Sequence, residues 1–275
     1  MFNRSNETYS FDPKLMDYIE ADEASPLSQI SKLIPNRAKV LDIGAGNGLL
    51  ASVLQHSHTE LVIDGIEPNR YASTLAKKHY RNFYSGYAEE YFSLIQQENY
   101  DFIVLADVIE HMADPLTFLQ KLSAHVGAST RVVISTPNVA FGAVRVALMN
   151  GEFRYVDSGL LERTHLRFFT YETLLELGKC SGFSSLKLRY LFRDMQGSEI
   201  PISPNLKNLF YLLSIAHDEL AHTYQFLAVL SKDSQDTSSA NATKAGRRSS
   251  IMLGYIRALF RRARDTVRNH IKGGR

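Results

Sequence analysis

The sequence predicts an α/β protein built on a mostly parallel, doubly wound sheet of seven strands, with helices on both faces and a basic amphipathic helix at its C-terminal end. Three observations carry this. Short apolar runs alternate with segments of helical period from Lys39 to Ser135. The first run, Val40-Leu41-Asp42-Ile43, passes through the glycine turn Gly44-Ala45-Gly46-Asn47-Gly48 directly into the helical pattern that opens at Leu49-Leu50. The composition, 44% hydrophobic and 22% charged over 275 residues, is that of a globular domain with room for an appendage.

Each element follows from its local pattern. Lys39–Ile43 reads as the first strand, and a helix begins over Leu49–Gln55. Glu60–Ile66 is the second strand, and Pro68 stops it. Asn69 is suited to cap the helix expected over Arg70–Tyr80. Phe83–Ser85 is a short third strand and Tyr100–Leu105 a strongly apolar fourth. Leu116–His125 is amphipathic, Arg131–Ser135 is the fifth strand, and Tyr171–Lys179 is a further helix. Gly182-Phe183 opens a sixth strand reaching about Leu191, and Tyr224–Leu230 is a seventh, expected to pair antiparallel at the end of the sheet.

The domain plan is a segment 1–35 capping the sheet and a main domain over 36–231, interrupted by insertions at 136–170 and 192–220. The first insertion fits neither period and follows the carboxyl end of a strand, where ligand-binding loops of open α/β sheets gather. The second contains Pro201, Pro204 and an apolar helix near Leu206–Ala216. Residues 232–250, poor in large apolar side chains, read as a linker. Helical spacing resumes over 251–275, with Met252, Tyr255, Ile256, Leu259, Phe260, Ala263 and Val267 on one face and arginines on the other.

Cys180 is the only cysteine, which excludes an intramolecular disulfide and favours a reducing, cytoplasmic setting. The first residues lack the apolar core of a signal peptide, and no apolar run is long enough for a transmembrane helix. The net charge of +2 conceals an asymmetry. Residues 244–275 hold ten Lys and Arg against Asp265 alone, a net of +9, leaving 21 basic and 28 acidic residues before them, a net of −7. That tail has the profile of an interfacial anchor on the inner face of a membrane; dimerisation, nucleic-acid affinity or disorder are its rivals, and no nucleic-acid partner is expected.

The glycine turn carries the chemistry. Its glycines let the backbone bend tightly and approach a ligand, as dinucleotide sites also require. The spacing is G-x-G-x-G rather than G-x-G-x-x-G, with Asp42 two residues ahead. An anion there opposes a pyrophosphate but suits an ammonium or sulfonium group, and S-adenosylmethionine has both. A hydride-transferring dehydrogenase is disfavoured on the same ground. Here the chain resembles the class I S-adenosylmethionine-dependent methyltransferases, whose Rossmann-like domain opens with this motif.

The resemblance implies a cofactor site. Gly44, Ala45, Gly46, Asn47 and Gly48, with Asp42, would cradle the methionine part. Glu67, with Pro68 at the end of the second strand, stands where an acid can accept from both ribose hydroxyls, and Asp64 is the runner-up. Tyr87 occupies the place of the family's usual adenine-contacting acid, and the Ala88 N–H could serve a ring nitrogen. Strand four would deliver Leu105, Ala106 and Asp107 to the methionine moiety or the methyl acceptor, followed by Glu110 and His111.

Methyl transfer is an in-line displacement, so the protein mainly aligns and desolvates the reactants. A base is needed where the nucleophile is a hydroxyl. His111 and His165 are the candidates, with Asp107 beside them, and His111 serves either as that base or as a structural bond ordering the loop. On the acceptor side, Asn138, Arg154, Arg163 and Arg167 lie in a stretch mixing arginines and aromatics. It resembles a bacterial branch met in cell-envelope polysaccharide synthesis, implying O-methylation of a saccharide or lipid-linked glycan; Arg163 and Arg167 either bind that acceptor or brace a lid. The alternatives are a quinone- or phenol-type acceptor, which an apolar pocket without arginines would favour, and a non-catalytic cofactor-binding subunit. No metal is implied.

Overall fold

The computed structural model describes residues 12–203, 205–233 and 243–245. The predicted terminal helix, residues 251–275, lies outside the described residues. Strands β1 (Lys39–Ile43), β2 (Val62–Glu67), β3 (Phe83–Ser85), β4 (Phe102–Ala106) and β5 (Arg131–Pro137) are mutually parallel. Strands β6 (Ser185–Phe192) and β7 (Thr223–Ser231) complete the seven expected. A three-residue β8 (Thr243–Ala245), within the predicted linker, pairs parallel with β6. The sheet order is β3-β2-β1-β4-β5-β7-β6-β8.

One placement differs from expectation. β7 is antiparallel, but it lies between β5 and β6 rather than at the end of the sheet. Its apolar residues Phe226, Leu227, Ala228 and Leu230 are buried on both faces, which suits an interior strand. β6 alternates with Lys187 and Arg189 and takes the more open position.

Side chains from alternate strand positions feed two cores. Leu41, Ile43, Ile103, Leu105, Val132 and Ile134 meet α5 (Phe92–Glu98), α6 (Pro115–His125) and α8 (Tyr171–Cys180) on one face. Val40, Phe102, Val104 and Val133 meet α3 (Leu49–Ser57) and α4 (Arg70–Ala76) on the other. The segment before β1 forms α1 (Pro13–Ala21) and α2 (Pro26–Ser31), and Ile30 of α2 joins the second core. Burying one such Leu or Ile contributes about 1.5–3 kcal/mol, so these two layers dominate the stability of the sheet.

Helix boundaries follow local chemistry. Asn69 caps α4, its side chain accepting from the N–H groups of Tyr71 and Ala72 at 3.0 and 3.3 Å. The helix expected to reach Tyr80 gives way to a 3-10 turn over Lys77–His79. The insertion after β5 contains α7 (Gly142–Met149), which the sequence conceals because it is apolar nearly all round. The insertion after β6 holds α9 (Leu206–Ser214) and the short α10 (Glu219–His222). The two insertions share a third core in which Phe141, Val144 and Leu160 of the first meet Met195, Ile200 and Leu212 of the second. They form one layer beyond the carboxyl ends of β4 and β5.

Candidate active site

A cavity of about 710 Å³ opens at the carboxyl ends of β1, β2 and β4. Ile43 and Gly44, Ile66 to Pro68, Tyr87 to Glu89, and Asp107 and Val108 line it. His111 to Asp114, Thr117, Phe118, Lys121 and Leu166 complete it. Its position is the one open α/β sheets give their ligands.

The glycine turn is tied to the end of β2. The N–H groups of Gly44 and Ala45 both donate to the Ile66 carbonyl, at 2.9 and 3.0 Å. Glu67 accepts the Gly46 N–H on Oε2 at 2.9 Å and the Asn69 N–H on Oε1 at 2.7 Å. Each oxygen keeps a lone pair, as accepting from a diol requires. Gly44 has φ +76°, and a Cβ there would fall 2.6 Å from Val108 Cγ2. Glycine is therefore required where the turn passes under the β4 loop.

Asp42 does not face the hollow of the turn. It is buried and accepts the Tyr80 hydroxyl at 2.6 Å. Burial, reinforced by the nearby negative Glu67, pushes its pKa up to about 7 against the pull of the Tyr80 bond. Of the glycine turn, Gly44 lines the cavity; Ala45 and Gly48 are buried, Gly46 is half-buried and Asn47 is exposed, and neither these four nor Leu105 and Ala106 belong to the lining. Asp64, the alternative to Glu67, is bonded to Arg81 and Tyr100 away from the cavity.

Asp107 reaches the cavity on strained backbone. Its φ of 56° is left-handed, a conformation costing about 1–2 kcal/mol for an L-residue. Ser135 and Gln225 hold it there. The Asp107 N–H donates to Ser135 Oγ at 3.1 Å, Ser135 Oγ donates to the Asp107 carboxylate at 2.8 Å, and Gln225 donates to the same oxygen. Gln225 comes from β7, so the interior placement of that strand completes this support. Enclosure by protein atoms raises the Asp107 pKa, although the residue is open to solvent along the cavity.

Glu110 follows on a 3-10 turn and is buried. Thr136 donates to its Oε2 at 3.1 Å, while its Oε1 has no hydrogen-bond partner among the described residues. Burial and then the Asp107 charge raise its pKa well above the usual carboxylate range, favouring the neutral acid. Its carbonyl accepts from Leu166 and Arg167 at 2.8 and 2.9 Å, which fastens the first insertion to the cavity.

His111 lines the cavity. Its Nδ1 lies 3.3 Å from the Thr164 carbonyl, which can only accept, and 3.2 Å from Thr164 Oγ1, whose own hydrogen goes to the Glu162 carboxylate; Nδ1 therefore carries the hydrogen and Nε2 the lone pair a base needs. His165 is packed edge-on behind it, with ring centroids 4.8 Å apart, is buried, and donates from Nδ1 to the Leu160 carbonyl at 3.2 Å. Burial lowers its pKa, and it does not line the cavity. Ligand atoms of Glu110, His111 and His165 lie within 4.8 Å of one another, a spacing able to hold a cation. The sequence offered Glu110 only as a neighbour of His111; its x-x-E-H spacing was the available signal.

The predicted acceptor residues are otherwise engaged. Asn138 is fully buried, donating to the carbonyls of Leu220 and Thr223 at 2.9 and 2.7 Å, and so pins the two insertions together. Arg154 pairs with Glu152 and Arg163 with Asp157, both on the exposed surface. Arg167 donates to the Ala113 carbonyl. None of the four lines the cavity, whose acceptor-side wall is Val108, Met112, Phe118 and Leu166, with Lys121 as its sole Lys or Arg.

Residues 17–188 match a family model described as a methyltransferase domain. Among curated proteins, the ubiquinone biosynthesis O-methyltransferase of Rickettsia canadensis is 25% identical over 74% of this chain and 85% of its own length. Its counterpart from Rickettsia felis is 28% identical over 74% and 82%. A solved S-adenosylmethionine-dependent methyltransferase from Archaeoglobus fulgidus shares the fold, with a TM-score of 0.57 at 17% identity over 79% of this chain and 94% of that one.

Proposed function

This chain belongs to the methyltransferase-domain family, as a class I S-adenosylmethionine-dependent enzyme, and from that premise we propose that it O-methylates a small phenol- or quinol-type acceptor. The observation that carries the acceptor class is the cavity wall, in which Val108, Met112, Phe118 and Leu166 give apolar surface beside His111 and no arginine takes part. The curated relatives are named for O-methylation in ubiquinone biosynthesis, in keeping with that class. The saccharide and lipid-linked glycan reading leaned on Arg154, Arg163 and Arg167, and it loses its footing as each is engaged outside the cavity.

The residues fit the cofactor. The bare Gly44 backbone beneath Val108, the remaining lone pairs of Glu67 and the space at Tyr87 and Ala88 would hold the methionine, ribose and adenine parts respectively. When bound, the cofactor supplies an electrophilic methyl on a sulfonium. Met112 and Leu166 exclude water around an acceptor ring, and Val108 packs beside the turn. His111 Nε2 takes the hydroxyl proton as the oxygen becomes nucleophilic. Asp107, held by Ser135 and Gln225, reaches the cavity, and its carboxylate would favour the positive charge that the cofactor brings there.

The test is transfer of a labelled methyl group from S-adenosylmethionine to a panel of catechols and hydroquinones, with free sugars and lipid-linked glycans alongside. Mass mapping of an aryl methyl ether is expected. Transfer confined to a sugar hydroxyl would overturn the acceptor class while leaving the enzyme class intact.

A further inference from the structure

Glu110 has no task in the proposed methyl transfer, yet it is buried next to the base, with 1% of its surface exposed. Thr136 occupies its Oε2, and its Oε1 has no hydrogen-bond partner among the described residues. A buried carboxylate oxygen left bare in this way calls for a ligand or an ion. Asp107 and Glu162 add negative charge around it, so a cation suits the place.

Two imidazoles share the neighbourhood. One ligand atom each from Glu110, His111 and His165 lies within 4.8 Å of the others. Both rings are held by Nδ1: His111 donates from it to the Thr164 carbonyl at 3.3 Å, and His165 to the Leu160 carbonyl at 3.2 Å. Each Nε2 therefore keeps a lone pair. A histidine that gives its second N–H to a backbone carbonyl has the tautomer and orientation a metal ligand needs. The Thr136 hydroxyl orients the carboxylate in the same way. Two imidazoles and a carboxylate hold zinc-like ions at about 2.0–2.2 Å and leave a fourth position open. Ligand atoms on such an ion stand about 3.4 Å apart, so the three must draw in by roughly 1.4 Å at most. His111 is the exposed member and can make that adjustment. Magnesium, which prefers an octahedron of oxygens, matches this donor set poorly.

We propose that Glu110, His111 and His165 form a site for a zinc-class divalent cation, and that the ion inhibits the enzyme by taking the Nε2 lone pair of His111. The inhibition rests on the reading of His111 as the base in O-methylation. His111 lines the cavity and the other two do not, so the ion approaches from behind the atom that an acceptor hydroxyl meets from the front. Ion and hydroxyl compete for one lone pair. The ion also ties the turn after β4 to the first insertion, reinforcing the bonds from Leu166 and Arg167 to the Glu110 carbonyl.

The experiment starts from the full chain stripped with a chelator. Affinity for Zn²⁺ is read by competition with a chromophoric chelator, with no acceptor present, and Mg²⁺ is run alongside. Compared with wild type are Glu110→Gln and His165→Phe, with titration of S-adenosylmethionine as the check that each is folded. Wild type is expected to bind Zn²⁺ stoichiometrically and to ignore Mg²⁺, and each variant to bind Zn²⁺ at least tenfold more weakly. In methyl-transfer assays at buffered free Zn²⁺, wild type is expected to lose activity as the site fills. His165→Phe is expected to keep its remaining activity at the Zn²⁺ concentration that half-inhibits wild type. Absence of stoichiometric binding by wild type, or affinity unchanged in both variants, overturns the site. Methyl transfer that rises with Zn²⁺ overturns the inhibition. The competition titration decides the site whichever acceptor is methylated, and a failure to bind Zn²⁺ leaves the O-methylation reading standing.

Discussion

The Glu67 carboxylate accepts the Gly46 N–H at 2.9 Å, so the acid at the end of β2 holds the glycine turn at the end of β1. Its other oxygen holds the first N–H of the α4 entry, at Asn69. One side chain therefore ties together two walls of the cavity, at the ends of β1 and β2. Replacing Glu67 by Gln leaves one of these N–H groups facing an amide NH2. We expect the dissociation constant for S-adenosylmethionine to rise at least about tenfold, the equivalent of ~1.4 kcal/mol, by isothermal titration. A dissociation constant unchanged from wild type would show that Glu67 organises the turn without meeting the cofactor.

Gly44→Ala tests the close approach of the turn to β4. The new Cβ meets Val108 Cγ2 at 2.6 Å and the φ of +76° disfavours any L side chain. The variant is expected to lose cofactor binding and about 2–4 kcal/mol of stability by denaturant melts. Adding Val108→Ala should recover the steric part and leave the backbone part, about 1–2 kcal/mol. Full recovery in the double variant would mean that the backbone strain counts for nothing.

His111 and His165 can be separated by their surroundings. His111→Ala removes the Nε2 lone pair from the cavity and is expected to lower kcat by about 10²–10⁴-fold with cofactor affinity retained. His165→Phe keeps the edge-on packing behind it and should lower kcat by less than about tenfold. Equal losses in stopped-time methylation assays would refute the assignment of the base.

Asp42 makes a pH-dependent contribution whose sign is fixed by burial. Its carboxyl is pushed up to about 7, against 3.8 in the unfolded chain. Its contribution is therefore fully present below about pH 4 and is lost as pH rises through 7. Three units correspond to roughly 4 kcal/mol. Asp42→Asn, which still accepts from Tyr80, should flatten the stability profile between pH 4 and 7 in urea titrations. Parallel profiles for the two proteins would refute the raised value.

Much of this molecule was legible because strands and glycine turns are local. Val40 to Leu50 fixed β1, the turn and the start of α3, and Glu67-Pro68-Asn69 fixed the end of β2 and the cap of α4. What escaped depends on partners remote in sequence. Asp42 looked available until Tyr80 took its proton-accepting side, and Asn138 looked like a ligand until the carbonyls of Leu220 and Thr223 claimed it. The arginines of the first insertion could have turned either way, and only the packing of Phe141, Met195 and Leu212 decides where that insertion lies. Gln225 carried no motif at all; it matters because β7 threads between β5 and β6.

That threading also governs how the chain is assembled during synthesis. β5 is complete at Pro137, but its neighbour β7 is not made until Ser231. At about 5–20 residues per second, roughly 5–20 s pass with an open parallel edge on the nascent sheet. β6 emerges within that interval with no template, since β7 is the only one of the first seven strands it pairs with. A nascent chain from which β5 and β6 have emerged while β7 has not would thus display the open edge of β5 and a wholly unpaired β6. The vulnerable species for aggregation or chaperone capture is this half-translated sheet rather than the finished enzyme.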